Sequence, residues 1–141
     1  MRTGILFLAM VLTLASCKKN KTNEIQDVLR CTMPESLDSS ATVAKLIGSW
    51  TWKKQSIANT NQFKDADKSV TVTFISDSTF SVAENSSVVL QGTWKVINYG
   101  SFYGLQTDPY SQYIGGAIYF CDNQLLFVAS IYDGADNLFE K

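Results

Sequence analysis

Three cysteines, Cys17, Cys31 and Cys121, are the residues of this 141-residue chain that could support covalent chemistry. A reactive thiolate usually needs a positively charged neighbour or a metal. The chain contains no histidine that could activate a thiolate or bind a metal together with it. The missing histidine also excludes Ser-His-Asp and Cys-His catalysis. No C-x-x-C spacing occurs. The cysteines are therefore candidates for modification or cross-linking and not for catalysis.

Carboxylates are the other groups that could do chemistry. Most aspartates follow strand-like runs and fall in predicted turns, where aspartate hydrogen-bonds the backbone. There are two alternatives for these carboxylates. One is a paired-carboxylate glycosidase. The other is a calcium loop at Asp133, Asp136 and Asn137, although the spacing of these three residues fits no EF-hand. The glycines form no phosphate-binding motif. We expect no enzymatic activity, no metal and no cofactor.

Cys17 closes an N-terminal segment that is built like a secretory signal. Arg2 gives it a positive start, and the apolar run over residues 5–14 is too short to span a bilayer comfortably. Leu14-Ala15-Ser16-Cys17 resembles a bacterial lipobox. The resemblance implies that residues 1–16 are removed and that Cys17 is lipidated, first as a diacylglyceryl thioether and then with palmitate-like acylation of its amino group. An ordinary secretory signal and an uncleaved anchor are the alternatives.

The lipobox resemblance implies a lipid-anchored protein of the bacterial cell envelope. Several acyl chains on one residue would hold it stably on the membrane. Lys18 stands where some lipoproteins carry the aspartate that retains them at the inner membrane, which favours the outer membrane, in either leaflet. After loss of Arg2, 11 basic and 13 acidic residues remain, and no basic patch suggests nucleic-acid binding. We expect a monomer whose first partner is the membrane.

Residues 17–44 are predicted to be the lipidated cysteine and a polar tether. Within it, Glu24 to Arg30 could form a short helix with Ile25, Val28 and Leu29 on one side. Cys31 and Cys121 are an even pair in an exported chain, which indicates a disulfide from the tether to a late strand. Such a bridge is worth roughly 4.5 kcal/mol on the chain-entropy model. Two free thiols or a redox pair are the alternatives.

Residues 45–141 are predicted to be one all-β domain. Strand-like runs fall at about 47–57, 69–76, 78–84, 87–98, 101–107, 112–121, 124–132 and 136–141, with turn residues between most of them and no convincing helix. Tight turns make consecutive strands antiparallel neighbours, and closing the sheet removes its edges. We therefore predict an eight-stranded up-and-down barrel, either solid or holding one small ligand. A two-sheet sandwich is the alternative.

Two short motifs connect this domain to a known family. Gly48-Ser49-Trp50 opens the first predicted strand, and Gly92-Thr93-Trp94 repeats the pattern. With the lipobox and tether before them, they resemble the Gly-x-Trp signature of small bacterial lipocalin-like lipoproteins. The resemblance implies that the glycine lets neighbouring backbone approach and that the tryptophan packs across one end of the barrel. We expect Trp50 and Trp94 to serve in core packing.

Aromatic residues are concentrated between residues 99 and 113, interrupted by turn residues. The set comprises Tyr99, Phe102, Tyr103, Tyr110 and Tyr113. Tyrosine-rich loops make good contact surfaces, so we predict a binding site here, with Trp52 as a further member. The alternative is that these rings cap one mouth of the barrel. Gly115-Gly116 predicts a tight bend or bulge in the strand that follows.

These observations lead to two hypotheses of function. The first is a non-enzymatic, membrane-anchored lipoprotein whose lipocalin-like pocket binds a small apolar or amphipathic ligand. The second is a protein-interaction lipoprotein, such as an inhibitor or an accessory subunit of an envelope complex, built on a solid barrel.

Overall fold

The computed structural model describes residues 38–57 and 62–141, which form one short α-helix and nine β-strands. Residues 1–37 lie outside the described residues, so the predictions of a signal peptide, of a lipidated Cys17, of a tether and of a disulfide at Cys31 stay predictions. The elements are α1 (Ser39–Leu46), β1 (Gly48–Ser56), β2 (Phe63–Asp65), β3 (Val70–Phe74), β4 (Thr79–Glu84), β5 (Ser87–Asn98), β6 (Tyr103–Asp108), β7 (Gly116–Cys121), β8 (Gln124–Val128) and β9 (Asn137–Glu140).

The strands form one antiparallel sheet that closes on itself. From β3 to β9 each strand pairs with the next in sequence, as a meander predicts. β1 pairs with β3 through its first half, where Trp50 is opposite Val72, and with β2 through its second half. β1 also pairs with β9, Trp52 opposite Phe139, and this pairing joins the two sides of the sheet. The mostly antiparallel β fold is confirmed.

Alternation along the strands places one face of the sheet inside. In β3, Val70, Val72 and Phe74 are buried, whereas Thr71 and Thr73 between them are partly exposed. The interior is filled with side chains, which include all three tryptophans and five phenylalanines. Successive rings touch one another, as in the edge-on pairs Phe74–Trp94 at 5.4 Å and Phe127–Phe139 at 5.8 Å between centroids.

Helix α1 covers one end of the closed sheet, which we call the helix end. The Asp38 carboxylate accepts a hydrogen bond from the Ala41 amide at 2.7 Å and so caps the helix N-terminus. At its other end, the Leu46 carbonyl accepts a hydrogen bond from Trp50 Nε1 at 2.7 Å, and Leu46 itself is fully buried. The turns β3–β4, β5–β6 and β7–β8 and the last residue, Lys141, lie at this end.

The structure corrects the sequence prediction in four places. Helix α1 was not predicted, and it begins inside the stretch assigned to the tether, which packs with the domain from residue 39. Strand β2 is an addition to the eight predicted strands. Residues 112–115 are irregular, so β7 starts only at Gly116, because Gly115 and Gly116 have φ of 142° and 85°. β8 ends at Val128 and is followed by a 3₁₀ turn over Ser130–Tyr132.

Candidate functional site

An open pocket of about 210 Å³ lies at the end of the sheet opposite α1, which we call the pocket end. Three segments build its walls: the second half of β6, the loop of residues 109–115, and the connection of residues 129–136 between β8 and β9. The lining residues are Leu105, Gln106, Thr107, Tyr110, Ser111, Gln112, Ile114, Gly115, Gly116, Ala129, Tyr132, Gly134, Ala135 and Asn137.

The pocket exists because β6 and β7 separate. They share only the register pairs Gly104–Ala117 and Leu105–Gly116, after which β6 continues beside the pocket paired with β5 alone. At the point of separation, Gly116 packs so closely against β8 that a Cβ atom would collide with the Val128 carbonyl, so only glycine allows this approach. The bend that the sequence predicted at Gly115-Gly116 is therefore present, and it opens the sheet.

Asn137 forms the inner wall of the pocket and is 2% exposed. Its side-chain oxygen accepts a hydrogen bond from Trp52 Nε1 at 3.0 Å, and its nitrogen donates to the carbonyls of Ala135 and Gln112 at 3.2 and 3.3 Å. All three bonds hold segments of the wall together. Asn137 is thus a structural polar residue, because its hydrogen-bonding groups are already occupied.

A second polar cluster at the pocket end joins β4 to the 109–115 loop. Glu84 accepts hydrogen bonds from Lys68 Nζ and from the Tyr113 hydroxyl, each at 2.6 Å. These bonds lower the pKa of Glu84, with the Lys68 contribution the larger, and the same bond to Glu84 raises the pKa of Lys68. Lys68 Nζ also lies 5.6 Å from the centre of the Tyr113 ring. The cluster keeps Glu84 ionised and fixes the loop.

The predicted calcium alternative is not assembled. Asp136 accepts backbone hydrogen bonds from Ala129 and Ser130 at 2.9 and 2.8 Å, Asn137 is occupied as described, and Asp133 is in a left-handed turn. Within residues 38–57 and 62–141, no group of three or more Cys, Asp or Glu side chains is arranged to hold a metal ion.

The aromatic residues predicted to form one binding surface are divided between the two ends. Tyr99 and Phe102 stack at 5.1 Å in the β5–β6 turn, with Tyr103 beside them at the helix end. Tyr110 and Tyr113 follow β6, whose six residues span about 17–20 Å, and lie at the pocket end. The expectation of a single surface over residues 99–113 is therefore wrong.

The members of the set at the pocket end have different environments. Tyr110 lines the pocket and is 77% exposed, whereas Tyr113 and Trp52 are each 5% exposed and meet edge-on at 5.4 Å. Tyr113 and Trp52 therefore close the interior at the pocket end and support the pocket wall from within. This is the role that the alternative interpretation, in which the rings cap one mouth of the barrel, gives them.

Two exposed apolar residues beside the pocket were not predicted. Tyr132 lines the pocket and is 61% exposed, and its neighbour Ile131 is 58% exposed. The sequence signal was present in Asp133-Gly134, which was interpreted as a hairpin turn after a strand that reached residue 132. The chain instead leaves the sheet at Val128, and the 3₁₀ turn projects both side chains outward.

The glycines and tryptophans of the two Gly-x-Trp motifs have structural roles. Trp50 is 2% exposed at the helix end, where Lys141 Nζ lies 4.5 Å above its ring. Trp94 Nε1 donates to the Thr79 carbonyl at 2.9 Å. Gly92 faces the end of β6 so closely that a Cβ atom would collide with the Asp108 carbonyl, and Gly48 adopts φ of 117° as β1 begins.

No family model, curated protein or solved structure matches this chain. Among the helices in the described ranges, none combines the length and the apolar character needed to cross a bilayer.

Proposed function

We propose that this chain is a non-enzymatic lipoprotein of the bacterial envelope, anchored through Cys17, whose lipocalin-like barrel binds a protein partner at the pocket end. Of the two hypotheses from the sequence, the geometry favours the second. The observation that carries this proposal is the combination of an interior filled with aromatic side chains and an open, aromatic-rimmed pocket outside it.

The filled interior argues against a lipocalin-type internal ligand. The space in which such a ligand would lie is occupied by Trp50, Trp52 and Trp94 and by the aromatic rings around them. A small barrel of about eight strands either fills with side chains or holds one small ligand. The interior of this sheet is filled with side chains.

The size and rim of the pocket suit a single side chain of a partner. Its volume of about 210 Å³ is below the roughly 300–1,000 Å³ of pockets that enclose drug-sized ligands. Tyr110 and Tyr132 line the pocket and are each more than half exposed, and Ile131 is the exposed neighbour of Tyr132. Aromatic residues that surround a small pocket are typical of the energetic centre of protein interfaces, where one anchoring side chain inserts.

The test is recovery of a partner with the intact lipoprotein from membranes of its own host. Tyr110→Ala and Tyr132→Ala should each reduce recovery of a stoichiometric partner, since tyrosine is enriched among the interface residues whose truncation costs about 2 kcal/mol or more. Tyr99→Ala is the matched control, because Tyr99 is 54% exposed but lies at the helix end. Equal recovery with all three variants would refute the assignment of the interface to the pocket end.

The small-ligand hypothesis retains one supporting observation, which is that the pocket wall includes the apolar residues Leu105, Ile114 and Ala129. Native mass spectrometry of protein from its own host distinguishes the two hypotheses. A co-purified small molecule that is lost from Tyr132→Ala would favour the ligand hypothesis, and a stoichiometric protein complex would favour the partner hypothesis.

A further inference from the structure

A small apolar cluster lies on the outer side of β7, β8 and β9, away from the interior. Its members, which we call the outer cluster, are Tyr119, Cys121, Leu126, Val128 and Leu138. Inward positions on the same strands, such as Ile118, Phe127 and Phe139, belong to the core. Tyr119 is opposite Leu126, and Leu126 is opposite Leu138, so the cluster is continuous across three strands.

The outer cluster is shielded from water although it faces outward. Leu126 is 0% and Leu138 2% exposed. Outward positions on other strands are accessible, as at Ser49 in β1 and at Gln91 and Lys95 in β5. Along the strands of an antiparallel sheet with one face toward water, apolar inward residues normally alternate with polar outward residues. Full burial of outward leucines therefore requires a further layer over them.

The described residues do not supply that layer. The apolar side chains that they place against Leu126 and Leu138 are Tyr119, Cys121 and Val128, which share the same strands and the same face. Residues 58–61 are only four residues long, and the Ile57 amide bonds the Gln62 carbonyl at 2.9 Å across their ends. Four residues closed in this way are too few to extend over three strands about 4.8 Å apart.

We propose that residues 24–31 of the same chain cover the outer cluster, with Ile25, Val28 and Leu29 against Leu126 and Leu138. These three residues are the apolar side of the helix that the sequence predicts over residues 24–30. Their i, i+3, i+4 spacing matches a buried helical face.

Chain length allows this placement. Residue 38 lies at the helix end, and Cys121 ends β7 at the same end. The seven residues from Cys31 to Asp38 span at most about 23–25 Å when extended, which suffices to connect α1 to the outer side of β7. The same packing brings Cys31 near Cys121, the pair that the sequence predicts to be bridged.

Charge at the border of the cluster also fits. Lys54 is opposite Leu138 in the β1–β9 pairing, and Lys53 precedes it. The segment contains the acidic residue Glu24, four positions before Val28 and therefore at the edge of its apolar stripe. Opposite charges at the rim of an apolar contact help to set its orientation.

Photo-crosslinking in the full-length lipoprotein tests the proposal. A benzophenone-bearing phenylalanine replaces Leu29 in one variant and Asp27 in the control, because Asp27 is on the opposite side of the predicted helix from the apolar residues. We expect Leu29 to crosslink chiefly to peptides that contain residues 119–128 or 138. Crosslinks of Leu29 to other parts of the chain, or the same products from both positions, would overturn the proposal.

A double-mutant cycle gives a second, independent measurement. Leu29→Ala and Leu126→Val should each lower Tm, and their combined effect should be smaller than the sum, since residues in contact are not additive. Leu126→Val is conservative enough to retain the fold. Leu29→Ala with Val72→Ala is the additive control, because Val72 lies in the interior. Additive shifts for Leu29 and Leu126 would contradict the proposed contact.

Discussion

Trp50→Ala is expected to be the most damaging single change at the helix end. The ring is 2% exposed, contacts Phe120 at 6.2 Å between centroids and lies beneath Lys141. Removing a buried tryptophan side chain costs about 3–5 kcal/mol in transfer and cavity free energy. Its Nε1 also bonds the Leu46 carbonyl, one of the last carbonyls of α1, and this bond adds about 1 kcal/mol. We expect a total loss of about 4–5 kcal/mol in the free energy of unfolding, allowing for overlap of these contributions.

Urea unfolding of the purified domain, followed by fluorescence of Trp52 and Trp94, measures this loss. A domain of this size has only about 5–15 kcal/mol of stability, so Trp50→Ala could unfold outright. Trp50→Phe is therefore the companion variant: it retains a ring, removes the donor to Leu46, and should cost about 1–3 kcal/mol with an unchanged m value. A loss below about 0.5 kcal/mol for Trp50→Ala, the usual range of surface substitutions, would refute the assigned packing.

Three further changes are predicted. Gly116→Ala should destabilise the domain and alter the pocket, because the new Cβ would collide with the Val128 carbonyl; an unchanged Tm would contradict this close approach. Glu84 has a lowered pKa, so the stability it contributes is present above its unfolded pKa of about 4.3 and is lost as pH falls through the folded pKa. Glu84→Gln should flatten the fall in Tm on the acid side of pH about 4.3, and an identical acid profile would show that the bond to Lys68 is not maintained in solution. Cys17→Ala should release the protein from membranes and abolish palmitate labelling, and continued labelling would disprove the lipid anchor.

Strand positions were predictable where burial alternates regularly. β5 has the predicted bounds, 87–98, and β3 and β4 fall within theirs, because Val70, Val72, Phe74, Phe80 and Val82 follow period two between clear turns. The pairing of β1 with β9 also follows from an edge that must be satisfied. These features depend on local patterns that the sequence contains.

Helix α1 was missed because its signals are short. Its eight residues bury only Thr42 and Leu46, which is too little to give a helical period. The Asp38 cap was interpreted as part of a polar cluster of loop residues, although its carboxylate bonds the Ala41 amide. Such a helix is marginal alone and is stable here because Leu46 and Trp50 dock it onto the sheet.

The candidate site could not be located from sequence spacing because neighbouring positions in the chain lie at opposite ends of a strand. Tyr99 and Tyr110 are eleven positions apart, and β6 lies between them. Conversely, Tyr110 and Tyr132 are distant in sequence, yet both line the pocket because β6 and β8 end on the same side. Local composition identified Tyr110 as a contact residue, whereas strand direction decided that it meets Tyr132.

The closed sheet itself explains why contact residues gather at the pocket end. Pairing around the sheet satisfies the strand edges over most of their length, and the interior is filled, so binding groups must project from the ends or the outer side. At the helix end, α1 lies over Trp50 and Phe120, and Lys141 bonds the carbonyls of Lys45 and Ile47. At the pocket end the separation of β6 and β7 leaves a concave surface, and the exposed side chains of Tyr110 and Tyr132 border it.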